Sequence, residues 1–476
     1  MEQTQVVKKG VEVEVAVEKL AFGGKAVSRV NGFVVFIDHG VPGQIARVRI
    51  TRKKRQYAEA RVIEVVRQSP DYTDPFCVHF KLCGGCSWQD IPYAEQLRWK
   101  RQHVADCLEH VAGVGEARVE SCEPSPRLTF YRNKMEYTFS DRRWLSDEEI
   151  ASKDTTYGKS CALGLHVSGF FDKVFNVEQC FLESPESVAV LKSVRDWCAG
   201  SGVPAYSIRT HKGYWRFLVV REGKFTDQVL VHLLTADEPG HDRHVDALVR
   251  HLVREFPSIT TFVHSVTGKK AQVALGDSSR VVLGPGVIEE RLGSLRFRIS
   301  AHSFFQTNPF AAMRMYETVE SFAELNGTET VWDLYCGTGS IALFIASRAR
   351  RVVGFEVVED AVRDAYENCR YNGIENCSFV AGDLKDMISR GSDEAGSAVP
   401  DVLIADPPRA GMHPHVVKTV LELAPKRIVY VSCNPSTLAR DLTSFLETYK
   451  VERVLPFDFF PHTPHIECVV KLVRKA

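Results

Sequence analysis

The amino-acid sequence predicts a multidomain α/β protein with a small N-terminal β-barrel, a central α+β region and a C-terminal doubly wound sheet. Three observations lead to this prediction. Short strands with glycine and proline turns fill residues 8–67, a cysteine-rich stretch then breaks the periodicity, and strands alternate strictly with helices from about residue 309 onward. The domain boundaries that follow are 1–68, 69–300 and 301–476.

Length and composition are typical of a soluble globular protein. The 476 residues suffice for several hydrophobic cores. No apolar run reaches the roughly 20 residues that a membrane span needs, and the start MEQTQVVKKG lacks the apolar core of a signal peptide. We therefore expect a cytoplasmic protein without a membrane partner.

The predicted barrel begins with VEVEVAVEKL, in which apolar and acidic positions alternate as in a half-buried strand. The whole chain carries 60 basic and 60 acidic residues, yet one segment of the barrel is clearly basic. Only Glu59 and Glu64 oppose its basic side chains, which are Arg47, Arg49, Arg52, Lys53, Lys54, Arg55, Arg61 and Arg67. Such a patch indicates a nucleic-acid contact, with a solvated charged edge as the alternative.

Thirteen cysteines are spread over a chain without a secretory signal, so a disulfide framework is not expected. Three of them, Cys77, Cys83 and Cys86, cluster in the stretch DYTDPFCVHFKLCGGCSWQD. This stretch reads as a loop around a metal ion or cluster. The helical pattern that follows, near residues 93–112, is expected to pack on the C-terminal domain.

The C-terminal alternation places short apolar strands between helices. The strands are TVWDLY, RVVGFEV, CSFVAGD, DVLIADP and RIVYVSC, and KVERVLPFDFF and IECVVKLVRK end the chain as an added pair. The stretch GSDEAGSAVP at residues 391–400 is interpreted as a solvent loop. Ligand sites in such sheets lie beyond the carboxyl ends of the strands.

The first of these strand ends carries a glycine-rich turn, Asp333-Leu-Tyr-Cys-Gly-Thr-Gly-Ser340. Gly337 and Gly339 allow backbone amides to approach a ligand, although such a turn alone is weak evidence. Glu356 ends the second strand, where a carboxylate can bind both ribose hydroxyls of a nucleoside cofactor. Asp383 follows the third strand, a position suited to binding an adenine amino group. The missing third glycine argues against a nicotinamide cofactor and favours S-adenosylmethionine.

Cys433 follows the fifth strand and precedes a helix that starts near Ser436. A buried structural thiol is the alternative interpretation, but a helix N-terminus stabilises the reactive thiolate. A methyltransferase that modifies uracil would need such a thiolate, because carbon 5 of the ring is too weakly nucleophilic by itself. Thiolate addition to carbon 6 would place negative charge on carbon 5, which could then accept a methyl group. A base must afterwards remove the carbon-5 proton.

The segment Phe460-Pro-His-Thr-Pro-His-Ile-Glu467 supplies the candidate bases. Glu467, at the start of the last strand, is the first choice. His462 and His465 are alternatives that could also pack or contact RNA.

Together these motifs resemble the RNA uracil-5 methyltransferases, specifically the iron–sulfur branch that acts on ribosomal RNA, over nearly the full chain. The matching motifs are Ser303-Phe-Phe-Gln-Thr-Asn308, DLYCGTGS, Glu356, Asp383, DPPRAG, SCNP and PHTPHIE. The resemblance implies Cys433 as nucleophile and Glu467 as proton acceptor. It further implies a cofactor and uracil site of Gln306, Tyr335, Gly337, Ser340, Glu356, Asp383 and Asp406, with Asp406 beside the target base.

The resemblance also covers the front of the chain. It implies that the barrel is a TRAM domain that binds RNA, and that Cys77, Cys83, Cys86 and Cys180 hold a [4Fe-4S] cluster; zinc is the chemical alternative. The expected partner is 23S rRNA, and the protein is expected to act as a monomer. Two departures could tune cofactor affinity, since Tyr335 stands where phenylalanine is common and Ser340 where asparagine is common.

Other functions stay open at this point. A methyltransferase that modifies base amino groups can share the Pro-Pro motif after the fourth strand, but would leave Cys433 and Glu467 without a role. The motifs of the cytosine-5 RNA methyltransferases, Asp-Ala-Pro-Cys and Thr-Cys-Ser, are absent. A tRNA uridine-5 methyltransferase and a noncatalytic RNA-binding or assembly factor on the same fold are the remaining alternatives.

Overall fold

The computed structural model describes residues 7–115, 118–152, 161–238, 240–384 and 399–476. Contacts between residues divide the chain into two compact units. The first unit comprises Met1–Ser125, Pro408–Gly411 and Val431–Leu472, and the second comprises Pro126–Pro407, Met412–Tyr430 and Val473–Ala476. The front of the chain therefore folds into one unit with most of its last fifty residues.

The N-terminal sheet contains six strands, which are β1 Glu12–Ala16, β2 Lys19–Leu20, β3 Ala26–Val30, β4 Phe33–Asp38, β5 Ile45–Lys53 and β6 Tyr57–Arg67. Their order is β1-β5-β6-β4-β3-β2. Only Val17 and Glu18 separate β1 from β2, so the two edges of the sheet are halves of one bent strand and the sheet curls into a barrel. The valines of β1 point inside and its acids face solvent, as the alternating sequence predicts.

The central region contains a second sheet of seven strands, β7 Lys134–Ser140, β8 Ala162–His166, β9 Val174–Asn176, β10 Trp215–Glu222, β11 Val229–Ala236, β12 Ile259–Thr267 and β13 Ser278–Leu283. Their order is β13-β12-β11-β10-β7-β8-β9. Every residue of β10 and β11 is buried, because both strands lie in the middle of the sheet. Burial on both faces is consistent with the continuous apolar stretches FLVV in β10 and VLV in β11, and it also encloses the charged residues Arg216, Arg221 and Glu222 of β10.

Helix α1 Tyr93–Cys107 precedes this sheet in the chain. Three helices lie between its strands in sequence, α2 Asp147–Ser152, α3 Pro185–Gly200 and α4 Asp242–Glu255. α3 contacts β10, and α4 contacts β12 through a face that repeats every three or four residues. The strands β14 Val287–Leu292 and β15 Leu295–Ser300 then form a hairpin that leads to the C-terminal sheet.

The strands of the C-terminal sheet are β16 Thr330–Leu334, β17 Arg351–Glu356, β18 Cys377–Ala381, β19 Val402–Ala405, β20 Arg427–Ser432, β21 Tyr449–Phe457 and β22 Glu467–Arg474. The helices that alternate with them are α5 Pro309–Ala323, α6 Ser340–Ile345, α7 Glu359–Asn372, α8 Pro414–Leu423 and α9 Pro435–Phe445. The strand order is β18-β17-β16-β19-β20-β22-β21. The first five strands pair in parallel, which confirms the predicted doubly wound sheet.

The last two strands form the predicted terminal pair, with β22 next to β20 and β21 at the edge of the sheet. Most of the solvent loop predicted at residues 391–400 lies outside the described residues. No helix in the described part of the chain is long and apolar enough to cross a membrane.

Helix α1 connects the front of the chain to its end within the first unit. It continues as a π-helical turn, Leu108–Ala112, and stops at Gly113, whose φ of 68° is left-handed. α1 packs against α9 and β21, and the π-helical turn packs against α9. The helix that the sequence predicts near residues 93–112 therefore contacts elements that lie more than 300 residues later.

Candidate active site

The glycine-rich turn after β16 has a left-handed backbone at three positions. Tyr335, Gly337 and Gly339 have φ values of 64°, 55° and 77°. A Cβ on Gly339 would lie 2.9 Å from the ring of Phe379, so this glycine is needed for packing. A Cβ on Gly337 would meet nothing within 4 Å. The turn therefore leaves open space in front of Gly337, where a ligand can approach the backbone.

Glu356 connects this turn to the second strand. One carboxylate oxygen of Glu356 accepts the Gly337 N–H at 3.0 Å, and the other accepts the Val358 N–H at 2.9 Å. Each oxygen keeps a lone pair for a hydroxyl donor. Asp383 lies exposed two residues beyond β18, and the Gly382 N–H donates to the Glu356 carbonyl at 2.9 Å. The acids predicted to bind the cofactor thus follow adjacent strands.

The segment that contains Gln306 is held by a residue that the sequence analysis missed. The side-chain amide of Asn133 donates to the Gln306 carbonyl at 3.0 Å, and the Asn133 backbone N–H donates to the Thr307 carbonyl at 2.9 Å. At the start of the segment, the Ser303 hydroxyl donates to Asp364 at 2.5 Å. Asn133 precedes Gln306 by 173 positions, so no local pattern could have linked the two.

Two more acids lie at the carboxyl ends of the neighbouring strands β16 and β19, with Asp333 inside β16 and Asp406 directly after β19. Asp333 is fully buried, and both burial and the charge of Asp406 raise the pKa of the Asp333 carboxyl well above its usual range. Burial raises the pKa of Asp406 to about 7. The Ser340 hydroxyl lies 2.7 Å from the hydroxyl of Tyr316. At neutral pH this part of the site carries fewer negative charges than its acids suggest.

Cys433 lies in the first unit, between the end of β20 and the start of α9. The next residue, Asn434, caps the helix by accepting the Ser436 N–H at 3.1 Å. The Ser432 hydroxyl accepts the Asn434 N–H at 3.1 Å and so fixes the peptide on the other side of the cysteine. The half-buried Cys433 thiol is therefore attached to the N-terminal end of an 11-residue helix, where the helix dipole favours negative charge.

The loop Pro408–Gly411 of the DPPRAG motif packs on the first turns of α9. The Asn434 amide donates to the Arg409 carbonyl at 3.0 Å, and the Arg440 guanidinium donates to the Ala410 carbonyl at 2.9 Å. A Cβ on Gly411 would lie 2.5 Å from that guanidinium. Gly411 also has a left-handed φ of 77°, and this conformation together with the close approach of loop and helix favours glycine at this position of the motif.

Glu467 is the first residue of β22, as predicted, and is 9% exposed. The residues before it, 458–466, form the loop that connects β21 to β22. Of the two alternative bases in this loop, His462 is buried and has a left-handed φ of 66°, whereas His465 is exposed.

The four predicted metal ligands divide between the units, since Cys77, Cys83 and Cys86 lie in the first and Cys180 in the second. All four are half-buried. The Cys83 sulfur accepts the Gly85 N–H at 3.3 Å, and the Cys180 sulfur accepts the Leu182 N–H at 3.4 Å, which suits thiolate ligands. Within the described ranges, however, no group of three or more His, Cys, Asp or Glu side chains is placed to hold a metal ion. The metal prediction therefore gains no support from the arrangement.

The basic segment of the barrel is partly neutralised by ion pairs. Arg47 pairs with Glu64 at 2.9 Å, and Arg49 pairs at 2.6 Å with Glu12, an acid on β1 that the sequence analysis did not count against the patch. The exposed cations that remain together are Arg52, Lys53, Lys54 and Arg55, where β5 turns into β6. We call these four residues the basic tip.

Comparison with known proteins supports an RNA-modifying enzyme. Residues 273–475 match the tRNA (Uracil-5-)-methyltransferase family, and residues 6–63 match the TRAM domain. A protein of Nitratidesulfovibrio vulgaris, named an RNA methyltransferase, is 41% identical over 98% of this chain and 97% of its own length. A protein of the same name from Bacteroides thetaiotaomicron is 40% identical over 95% of this chain and 99% of its own.

A solved structure is similar over the same extent. The Pyrococcus abyssi tRNA (uracil-54, C5)-methyltransferase in complex with S-adenosyl-L-homocysteine has a TM-score of 0.74 and 26% identity. The match covers 97% of this chain and 99% of that one. The front barrel, the C-terminal sheet and the relatives agree: the chain belongs to the TRAM-containing family of RNA uracil-5-methyltransferases and is an S-adenosylmethionine-dependent RNA methyltransferase.

Proposed function

We propose that the enzyme methylates carbon 5 of a uridine in 23S rRNA through a transient covalent bond between Cys433 and carbon 6 of the base. The observation that carries the proposal is the position of Cys433 directly before the cap of α9. A thiol at a helix N-terminus is favoured as thiolate, which is the nucleophilic form. A methyltransferase that modifies amino groups has no use for such a thiol.

The proposed reaction proceeds in three steps. The Cys433 thiolate adds to carbon 6, and the electron pair of the ring double bond moves toward carbon 5 and the neighbouring carbonyl. Carbon 5 then forms a bond to the methyl group that S-adenosylmethionine supplies, and the electron pair of the broken methyl–sulfur bond stays with the departing S-adenosylhomocysteine. Finally the Glu467 carboxylate accepts the carbon-5 proton, the C–H electron pair restores the double bond, and the carbon–sulfur bond breaks to release the thiolate.

The second unit is proposed to hold the methyl donor. The open space before Gly337 and the two lone pairs that Glu356 keeps suit the ribose and the amino-acid part of S-adenosylmethionine. The residues proposed to line this site are Gln306, Tyr335, Gly337, Ser340, Glu356 and Asp383, with Asp406 beside the target base. The same proposal assigns RNA binding to residues 1–68, the central region to residues 69–300 and catalysis to residues 301–476. We also propose that the enzyme is a monomer and acts in the cytoplasm.

A tRNA is the second candidate substrate. The Pyrococcus abyssi relative of known structure acts on uracil 54 of tRNA, whereas the 23S rRNA assignment rests on the motifs of the sequence. The TRAM domain and its basic tip suit either RNA, because phosphate contacts carry no sequence information.

The covalent mechanism predicts that variants of Cys433 and Glu467 fail differently. Cys433→Ala should form no protein–RNA adduct while still binding RNA and cofactor. Glu467→Gln should accumulate a methylated adduct, because loss of a general base slows proton removal by roughly 10²–10⁴-fold. Denaturing gels with methyl-labelled donor and a 23S rRNA or tRNA transcript detect the adduct.

Each outcome of this experiment is informative. Full activity of Cys433→Ala would exclude the covalent mechanism, and normal turnover by Glu467→Gln would move the base to His462 or His465.

The substrate assignment predicts where 5-methyluridine disappears. In a strain that lacks the protein, one or more 5-methyluridines of 23S rRNA should be lost, and re-expression of the wild-type gene should restore them. Mass spectrometry of purified 23S rRNA and tRNA measures both. Loss confined to tRNA would refute the rRNA assignment while leaving the chemistry intact.

The basic tip predicts a salt-dependent contribution to RNA binding. Changing Arg52, Lys53, Lys54 and Arg55 to glutamine should reduce the slope of log K against log salt by about 3, since each lost phosphate contact on a single strand removes about 0.7. The control is Arg47→Gln with Arg49→Gln, whose charges are already paired with acids and should contribute less. Equal slopes for wild type and the fourfold variant would rule out the tip as an RNA contact.

The proposed [4Fe-4S] cluster predicts a brown protein after anaerobic purification, with iron and sulfide near four each per chain as the cluster formula requires. Cys83→Ser and Cys180→Ser should lose both elements. Cys107→Ser is the matched control, because Cys107 ends α1 and burial raises the pKa of its thiol to about 11. Zinc without sulfide, or no metal at all, would contradict the cluster.

A further inference from the structure

The loop of residues 458–466, which leads into Glu467, is held by residues from the front of the chain. Both lie in the first unit. The contacting residues come from the barrel, from the stretch after Cys86 and from helix α1, all outside the part that matches the tRNA (Uracil-5-)-methyltransferase family. The position of the proposed base therefore depends on a part of the chain that carries none of its chemistry.

The contacts concentrate on both sides of one strained residue, His462, with its left-handed φ of 66°. Its backbone N–H donates to the side-chain oxygen of Gln96 at 2.8 Å. Its carbonyl accepts the N–H groups of Ser87 and Trp88, both at 3.0 Å. A non-glycine residue keeps such a conformation only where the surroundings enforce it, and here hydrogen bonds fix the peptide groups before and after it.

Gln96 can hold this geometry because its own amide is fixed. It is 1% exposed, and its nitrogen donates to the carbonyls of Trp88 at 3.0 Å and Ile91 at 2.9 Å. These two carbonyls decide which end of the amide is the nitrogen. The oxygen must therefore face the His462 N–H, and the nitrogen also lies 3.3 Å from the His462 ring nitrogen Nδ1.

One turn further along α1, Lys100 holds the start of the loop. Lys100 and Asp458 are both 0% exposed, with Nζ and Oδ1 2.5 Å apart, and Nζ also donates to the Phe460 carbonyl at 3.1 Å. A buried ion pair gains little stability, since desolvation offsets the attraction; its best attested use is to specify one conformation. Later in the loop, at Pro464, the barrel backbone also comes close, since a Cβ on Gly24 would lie 2.8 Å from the Pro464 side chain.

We propose that Gln96 and Lys100 are positioning residues for proton removal: from α1 they set the path of loop 458–466 and thereby the place of the Glu467 carboxylate. The proposal rests on the proposed role of Glu467 as proton acceptor. It assigns to the front of the chain a part in the last chemical step, in addition to RNA binding.

The test compares the rates of adduct formation and product release in variants of the positioning residues, because loss of positioning should make product release the rate-limiting step. Gln96→Leu keeps the volume and removes both contacts to His462. Product release should slow by roughly tenfold to a hundredfold, since a displacement of about 1 Å can cost 10²-fold, while the rate of adduct formation and KM stay near wild type. Methylated adduct should accumulate, and a deuterium isotope effect at carbon 5 should increase.

The matched control is Gln102→Leu, the same change on the same helix. The Gln102 amide donates to Asp106 of α1 at 2.7 Å, and the variant should behave as wild type.

Lys100 is tested with two variants. The pair variant, Lys100→Met with Asp458→Asn, leaves no unpaired buried charge, and Lys100→Arg keeps the charge. The pair variant should accumulate adduct, and Lys100→Arg should recover part of the release rate. Circular dichroism and stoichiometric binding of S-adenosylhomocysteine normalise each rate to folded protein.

The assay uses the transcript that the wild-type enzyme methylates, with Glu467→Gln in parallel. If Gln96→Leu and the pair variant lower adduct formation and product release by the same factor, these residues only support folding and the positioning proposal is overturned. Accumulation by Glu467→Gln but not by Gln96→Leu overturns positioning alone. Normal release by Glu467→Gln overturns the proposed role of Glu467 and the positioning proposal with it, whereas loss of the covalent mechanism itself would show as full activity of Cys433→Ala.

Discussion

The parallel register of β16, β17 and β18 is the constraint on which the cofactor side of this enzyme depends. Leu334 pairs with Phe355, and Glu356 pairs with Ala381, so the three strands end at nearly the same level. Parallel strands present their carboxyl ends at one edge of the sheet. The glycine-rich turn follows β16, Glu356 is the last residue of β17, and Asp383 lies two residues after β18. The bond from the Gly337 N–H to Glu356 joins the first two.

A different principle shapes the first unit, where residues from the two ends of the chain share one core. The barrel, the stretch after Cys86 and α1 fold together with α9, β21 and β22. The basic tip, the proposed nucleophile and the proposed base therefore all belong to the same unit, whereas the proposed cofactor residues belong to the other. Replacement of the front of the chain should thus affect chemistry as well as RNA binding.

Several buried polar groups lower the free energy of unfolding relative to what apolar residues at the same positions would give. Lys100 with Asp458 and Asp333 with Asp406 all lie in or next to segments with proposed functions. Burying such groups is costly unless they are paired, and apolar residues of similar volume would often be at least as stable. For Lys100 and Asp458, the geometry that the pair imposes on loop 458–466 explains their presence more readily than a contribution to folding.

The sequence by itself determined the elements that depend on neighbours along the chain. The alternating strands of the barrel, the parallel strands, the terminal pair and the helix that begins after Cys433 all follow from local periodicity and capping residues, as does the place of Glu467 at a strand start. The family motifs are likewise short contiguous stretches, so they can be identified from the sequence alone. These features agree with the structure because they need no information from distant residues.

Only the tertiary structure decided which distant residues meet. Gln96 and His462 are 366 positions apart, and Asn133 and Gln306 are 173 apart; no periodicity spans such distances, because packing of whole elements brings these residues together. The same reason limits the cysteine prediction. Spacing suggested three ligands and the family resemblance implied Cys180 as the fourth. Whether side chains converge on a metal is a tertiary property, however, and the described residues contain no such group. Local patterns thus specified strands, helices and reactive residues, while the contacts that orient those residues came from the fold.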